Sequence, residues 1–389
     1  MPALLMLASS PRGLFAQTQA AGGAAGAAAN AAGAQSQPAA QAQSGAKWIA
    51  RELLMPAPGS PGGLDVVEVE VDRPGKHPLA LITHGTASDP IERGQVTPWS
   101  FMPQAIWFAR RGYVVLVVVR KGYGHSGGVQ DGVHGGCQKS WGGSFTDSGE
   151  ESADDLRAAV KFAATLPEVD TGTIVSAGVS TGGFAQVALT AHPPPGLKAA
   201  ISFAGGRGGD GNLHNCNESG IVAAFHDFGK KSRVPMLWIY AENDHWFPPE
   251  LSRKFDAAFR QAGGDDQFVM VPPYSDDGHH FFQDVNGWSP IMDGFLKEKG
   301  LLPLPDLLPE PAVPNVPPPA GLGERGLAAF HNFLMYGPQK AFATNGQGTY
   351  GMAVGMFDQE LADQHALANC AKALTGGAAC TIVSRGLHK

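Results

Sequence analysis

From Leu64 to Lys297 the sequence alternates short apolar stretches with stretches of helical spacing. That alternation constrains the fold more than any other feature, because strands separated by helical crossovers pair side by side as a largely parallel sheet with helices on its faces. Tyr113–Arg120 is so rich in valine that neither face is polar, as in a central parallel strand buried on both sides. Further strands are expected at Pro78–Thr83, Thr173–Val179, Ala199–Phe203, Pro235–Tyr240 and Gln267–Val271. Helices are expected near Phe101–Arg111, Glu150–Leu166, Gly183–Ala191, Pro249–Ala262 and Pro290–Lys297, the second with Leu156, Val160 and Phe162 or Ala163 on one side. Val66, Val67, Val69 and Val71 open the series as an antiparallel strand or hairpin.

The flanks read differently. Met1–Ala8 holds a short apolar run interrupted by Pro11 and Arg12, the remnant of a secretory signal or one whose start lies upstream. Ala20–Ala46 is almost entirely Ala, Gly, Gln, Ser and Asn, offers nothing large to bury and is expected to be disordered. Residues 1–46 are therefore set apart from an α/β domain at 47–301. Eight prolines between Leu302 and Gly321 exclude a helix or central strand there and indicate a semi-rigid linker at 302–321. Beyond it, 322–389 reads as a small α+β unit: a helix at Leu327–Met335, a hairpin of Lys340–Thr344 and Tyr350–Val354, a helix at Gln359–Ala373 with Ala362, Ala366 and Cys370 on one face, and a strand at Thr381–Ser384. No internal repeat is visible.

The four cysteines, Cys137, Cys216, Cys370 and Cys380, have no C-x-x-C spacing, which argues against zinc knuckles and thioredoxin-type pairs. Two disulfides, Cys137–Cys216 and Cys370–Cys380, are the simplest pairing for a periplasmic or secreted protein; four free thiols in a cytoplasmic one are the alternative. With 28 Lys+Arg against 35 Asp+Glu there is no basic excess to displace phosphate counterions, so nucleic acid is not an expected partner. No apolar run reaches the roughly 18 residues of a membrane span.

Two segments match the G-x-S-x-G pattern: Gly178-Val179-Ser180-Thr181-Gly182 and Gly124-His125-Ser126-Gly127-Gly128. With 52 glycines and 21 serines in 389 residues, chance alone gives about 0.4 matches, so context must decide. A nucleophile elbow follows a buried strand and opens a helix, which exposes the serine oxygen at a sharp turn. Ser180 has that context, and Ser126 lies in a glycine-rich loop with no helix after it.

A serine hydroxyl needs a base to take its proton and a carboxylate to orient that base. In the chain order Ser, Asp or Glu, His, the carboxylate follows one later strand and the histidine another. Asp244, in Glu242-Asn243-Asp244-His245, and His279, in Asp276-Asp277-Gly278-His279-His280, fall where that order requires. Glu242 competes with Asp244 as the acid and His280 with His279 as the base; Asp244 is preferred to Glu242, and His279, preceded by a flexible glycine, to His280. The oxyanion is expected to be held by the backbone N–H groups of Thr181 and of Thr86, in the His84-Gly85-Thr86 loop that His84 orients.

These residues, with Arg120-Lys121-Gly122-Tyr123-Gly124-His125-Ser126-Gly127 and Asp277-Gly278-His279, resemble the α/β-hydrolase superfamily and its dienelactone-hydrolase-like and prolyl-oligopeptidase-like branches over about Leu64–Leu301. Ser180 stands where dienelactone hydrolases proper use cysteine, and there is no room for the β-propeller of prolyl oligopeptidases. The tail, with Lys340-Ala341-Phe342-Ala343 and Ala366-Leu367-Ala368-Asn369-Cys370, resembles a small domain of exported bacterial proteins in which the helix cysteine pairs with a following strand; an accessory lid or stability module is the expected role.

The resemblance implies a serine hydrolase but is not specific for a substrate; the first reading is a carboxylic-ester hydrolase working through an acyl-enzyme, with Ser180 attacking, His279 shuttling the proton, Asp244 orienting it and no metal or organic cofactor. The alternatives are a serine exopeptidase, with Glu150, Glu151 or Tyr123 clamping a peptide terminus, and a non-catalytic binding scaffold. The pocket is expected to be lined by Gly122–Ser148, including Asp131, His134, Cys137 and Trp141, together with Gly205–Ser219.

Overall fold

The computed structural model describes residues 46–86, 90–130, 137 and 144–386. The Ala-rich segment and Asp131, His134 and Trp141 lie outside the described residues. The first strands, β1 (Trp48–Ala57) and β2 (Ser60–Val71), form an antiparallel hairpin, and β3 (His77–Thr83) starts the parallel core. It is followed by α1 (Pro90–Gly94), α2 (Met102–Arg110) and β4 (Val114–Val118), then α3 (Phe145–Ala163), β5 (Val169–Val179), α4 (Thr181–Ala191) and β6 (Leu197–Phe203). The series closes with α5 (Glu218–Lys231), β7 (Met236–Ala241), α6 (Pro249–Gln261), β8 (Asp266–Val271) and α7 (Val285–Glu298).

The eight strands order as β1-β2-β4-β3-β5-β6-β7-β8, antiparallel across β1/β2 and β2/β4 and parallel from β4 to β8. All five residues of β4 are buried, as the valine run requires. One face of the sheet is covered by α3 to α6, with Leu156, Phe184, Phe225 and Phe255 in its core. The other is covered by α2 and α7 through Ile106, Phe108, Trp288 and Phe295. The chain leaves β3 for β4 on one side and returns to β5 on the other, so the strand order reverses between the carboxyl ends of β3 and β5, where open α/β sheets form ligand crevices.

Beyond the short α1, which was not expected, and earlier starts of α3 and β5, two helices differ from the sequence reading. Helix α5 was missed, although Ile221, Ala224, Phe225 and Phe228 give it an apolar face and the Asn217 side chain caps it by accepting from the Gly220 N–H. Helix α7 begins at Val285 rather than at Pro290, because the Asp284 side chain caps the Gly287 N–H and Pro290 sits inside the helix.

Residues 302–321 form neither helix nor strand and run against α2, where the Leu308 N–H donates to Arg110 O at 2.7 Å and Arg110 pairs with Glu310. A separate small sheet of order β10-β9-β11 follows, built from β9 (Ala341–Thr344), β10 (Tyr350–Ala353) and β11 (Thr381–Arg385), with α8 (Glu324–Met335) before it. Helix α9 (Gln359–Lys372) packs on that sheet with Ala362, Ala366 and Cys370 buried. The unit meets the rest of the chain through Gly355, whose carbonyl accepts from Thr97 Oγ1 and Ser100 Oγ at 2.8 and 2.9 Å.

Cys137 pairs with Cys216 and Cys370 with Cys380. So small a core leans on its cross-link. Changing Cys370 to serine is expected to lower the stability of the C-terminal unit by about 3 kcal/mol, measured as faster proteolysis within 322–386 while the rest stays intact. Equal cleavage rates with and without reductant in the unaltered chain would contradict this.

Candidate active site

Strand β5 runs directly into α4, and the residue at the junction is Ser180. Its backbone is left-handed, with φ 57° and ψ −121°. A non-glycine residue held there costs of the order of 1–3 kcal/mol, which the surrounding packing must sustain. Gly182 shows how tight that packing is: a Cβ there would lie 2.4 Å from His84 O and 2.8 Å from Thr83 O, so the start of α4 is pressed against the end of β3. A Cβ on Gly85 would lie 2.8 Å from Ser180 Cβ, so the loop after β3 lies against the serine.

That loop is braced from behind. His84 Nε2 accepts from the Arg120 N–H at 2.9 Å while Nδ1 donates to Gly85 O. The Arg120 guanidinium, fully buried, donates to Thr83 Oγ1, to His84 O and to Thr181 Oγ1. Thr86 Oγ1 joins Thr181 Oγ1 at 2.8 Å and Tyr123 Oη at 2.6 Å. Arg120 and Tyr123 thus tie together the two threonines expected to hold the oxyanion. Sequence reasoning did not give them that role, although both stand in the Arg120–Gly127 run.

The turn after β7 supplies Asp244 and the one after β8 supplies His279. His279 Nδ1 lies 3.1 and 3.2 Å from the two Asp244 oxygens, and Asp244 is completely buried. Asp244 Oδ1 also accepts from the backbone N–H groups of Trp246 and Phe247 at 2.8 and 2.9 Å. Asp277, another residue without an expected role, accepts from the backbone N–H of His279 at 2.9 Å and of His245 at 3.0 Å, and so joins the two turns. The rings of Trp246 and Phe247 pack on the His279 imidazole at 5.4 and 5.5 Å. Glu242 is exposed. His280 has no contact with Asp244 comparable to that of His279, and burial, then the neighbouring His279, hold its pKa below the ordinary histidine value.

Ser180, His279, Gly85 and Thr86 line one cavity of about 340 Å³. Phe101, Val179, Trp246 and Phe282 make its walls largely apolar, with Glu92, His280 and Gln283 as the polar exceptions. None of the described residues of Gly122–Ser148 or Gly205–Ser219 lines it, contrary to expectation. The second segment sits one layer back, where Gly211 packs on the Trp246 indole and the Leu213 N–H donates to His245 O at 2.8 Å. The Cys137–Cys216 bridge anchors that supporting layer. Ser126 is likewise structural: its hydroxyl accepts from the Asp65 N–H at 2.8 Å and donates to Val119 O at 2.7 Å.

The candidates for a peptide clamp also lie elsewhere. Glu150 pairs with Arg157 and His192, Tyr123 is fully buried, and neither they nor Glu151 line the cavity. A larger cavity of about 500 Å³ between α2, α7 and α8 contains Arg110 and Arg111, but these are tied to Glu310 and Asp293.

No curated protein matches the sequence. Among solved structures, a Klebsiella pneumoniae protein provisionally assigned as a dienelactone hydrolase is similar at 17% identity, covering 64% of this chain and 99% of its own, with a TM-score of 0.45. The acylaminoacyl peptidase of Pyrococcus horikoshii is similar at 15% identity over 64% of this chain and 41% of its own, with a TM-score of 0.46. Thermogutta terrifontis esterase 2, phosphorylated by paraoxon, is similar at 19% identity over 66% of this chain and 96% of its own, with a TM-score of 0.47. The model of the dienelactone hydrolase family matches residues 99–293, which hold Ser180, Asp244 and His279. That match spans half of the chain, and the protein belongs to the dienelactone hydrolase family, a hydrolase of the α/β fold.

Proposed function

We propose that the protein hydrolyses small carboxylic esters through an acyl-enzyme, with Ser180 as nucleophile, His279 as base and Asp244 as its orienting carboxylate. The observation that carries this reading is a serine held in a strained strand-to-helix turn, opening on the same cavity as a histidine whose Nδ1 is engaged by a buried aspartate. With Nδ1–H donated to Asp244, His279 Nε2 keeps its lone pair and takes the Ser180 proton as Oγ attacks the carbonyl carbon. The imidazolium then protonates the departing alkoxide, and a water activated by the same nitrogen hydrolyses the acyl-enzyme.

The developing oxyanion is assigned to the backbone N–H groups of Thr86 and Thr181. Neither N–H has an acceptor among the described residues, while both side chains are fixed to each other. The largely apolar walls of the cavity suit an apolar acyl group, and its volume of about 340 Å³ bounds the ester to a small one. An ester fits the site better than a peptide because the candidate clamps are engaged outside it. The two disulfides favour a periplasmic or secreted setting. Residues 47–301 are assigned to the catalytic domain, 302–321 to a linker and 322–389 to an accessory unit.

The test is fluorophosphonate labelling of the full chain with mapping of the labelled peptide, alongside a p-nitrophenyl ester series from acetate to octanoate. A label on Ser180 and a rate maximum among the short acyl chains are expected. A label without ester turnover would transfer the proposal to peptides, and no label would leave a binding scaffold.

A further inference from the structure

A second group of chemistry-bearing side chains lies at the antiparallel edge of the sheet, away from Ser180. Glu52 on β1, Asp65 on β2 and His125 in the loop after β4 each bring one ligand-type atom to within 4.8 Å of the others. The register explains the meeting: Asp65 pairs directly with Leu54, so Glu52, two residues back, lies diagonally beside it on the same face. His125 arrives because its neighbour Ser126 bonds both the Asp65 N–H and Val119 O. The second G-x-S-x-G match, unused by the proposed hydrolysis, is what fixes this histidine.

Asp65 is the unusual member. It is 1% exposed, and its Oδ1 has no hydrogen-bond partner. A carboxylate taken from water in this way needs a cation or a full set of donors. Its Oδ2 stands 3.6 Å from His125 Nδ1, too long for a hydrogen bond. Two atoms each about 2.0 Å from one tetrahedral ion lie roughly 3.3 Å apart, close to that separation. Among the described residues, the other acidic group, formed by Glu68 and Glu70 of this hairpin with Glu168 just before β5, already has its cation, because Arg51 bonds Glu68 and Glu168.

We propose that Glu52, Asp65 and His125 bind one zinc(II) ion, with water completing the coordination. Two carboxylates and an imidazole suit a first-row divalent metal better than magnesium or calcium, which favour all-oxygen sets. Glu52 is oriented by the Trp99 indole N–H at 2.6 Å, and the His125 ring packs on Phe357 of the C-terminal unit at 4.2 Å. The ion thus joins β1, β2 and the 124–126 loop where the C-terminal unit abuts them, and its role is to stabilise that junction.

The full chain is stripped with EDTA, dialysed, and titrated with zinc chloride by calorimetry and thermal melting. One equivalent of zinc and a higher melting temperature are expected. Asp65→Asn and His125→Gln should each weaken binding by at least about tenfold, while Glu68→Gln leaves it unchanged. His125 is half-exposed, so its variant keeps the test decisive if Asp65→Asn folds poorly. No saturable binding, or unchanged binding in His125→Gln, overturns the proposal.

Discussion

Replacing Ser180 by alanine is expected to lower ester turnover by about 10⁴- to 10⁶-fold and to abolish fluorophosphonate labelling. The size follows from losing the proposed covalent step: without Oγ, the N–H groups assigned to the oxyanion, those of Thr86 and Thr181, would still polarise a bound carbonyl, and His279 would activate only water. The fold should survive, because alanine keeps the Cβ and the backbone geometry of residue 180. Ser126→Ala makes the opposite trade. Its hydroxyl fills two buried hydrogen bonds, so the variant should lose about 1–3 kcal/mol of stability while its turnover per folded molecule stays near that of the parent. Steady-state rates with urea unfolding of both variants separate the two serines. Retained turnover in Ser180→Ala would end the acyl-enzyme proposal.

The parallel core was legible because strands buried on both faces are predominantly apolar, and β4 announces itself by five consecutive apolar positions. The placement of Ser180, Asp244 and His279 was legible for a different reason: chain order and strand ends survive translation into three dimensions even when loop paths do not. The glycine before it favoured His279 over His280 in the sequence, but only the structure shows which of the two adjacent rings reaches Asp244. The pocket walls were the least legible part. Trp246 and Phe282 come from turns beside the two partner residues, whereas the glycine-rich segments expected to form the walls lie behind them or outside the described residues. Arg120 reads in sequence as the polar end of a strand, and nothing in its spacing says that the side chain turns inward to hold His84 and Thr181.

Asp244→Asn is the sharper test of how the base is prepared, and it is expected to lower turnover by about 10⁴-fold with little change in fold. The reason is specific to the donors around this carboxylate. Oδ1 already accepts the backbone N–H groups of Trp246 and Phe247. An asparagine at 244 must keep its carbonyl oxygen on those two donors, which turns its NH₂ toward His279 Nδ1. That nitrogen can then remain near the amide only as an acceptor, so the imidazole proton moves to Nε2, the atom that must be free to receive the proton of Ser180. The ring keeps its place between Trp246 and Phe247 but in the wrong tautomer. Glu242→Gln, at an exposed position in the same turn, should leave turnover unchanged. Parallel measurements of kcat with p-nitrophenyl acetate decide the matter: an Asp244→Asn enzyme within tenfold of the parent, or an equal loss in Glu242→Gln, would mean that His279 is oriented by something other than the aspartate it touches.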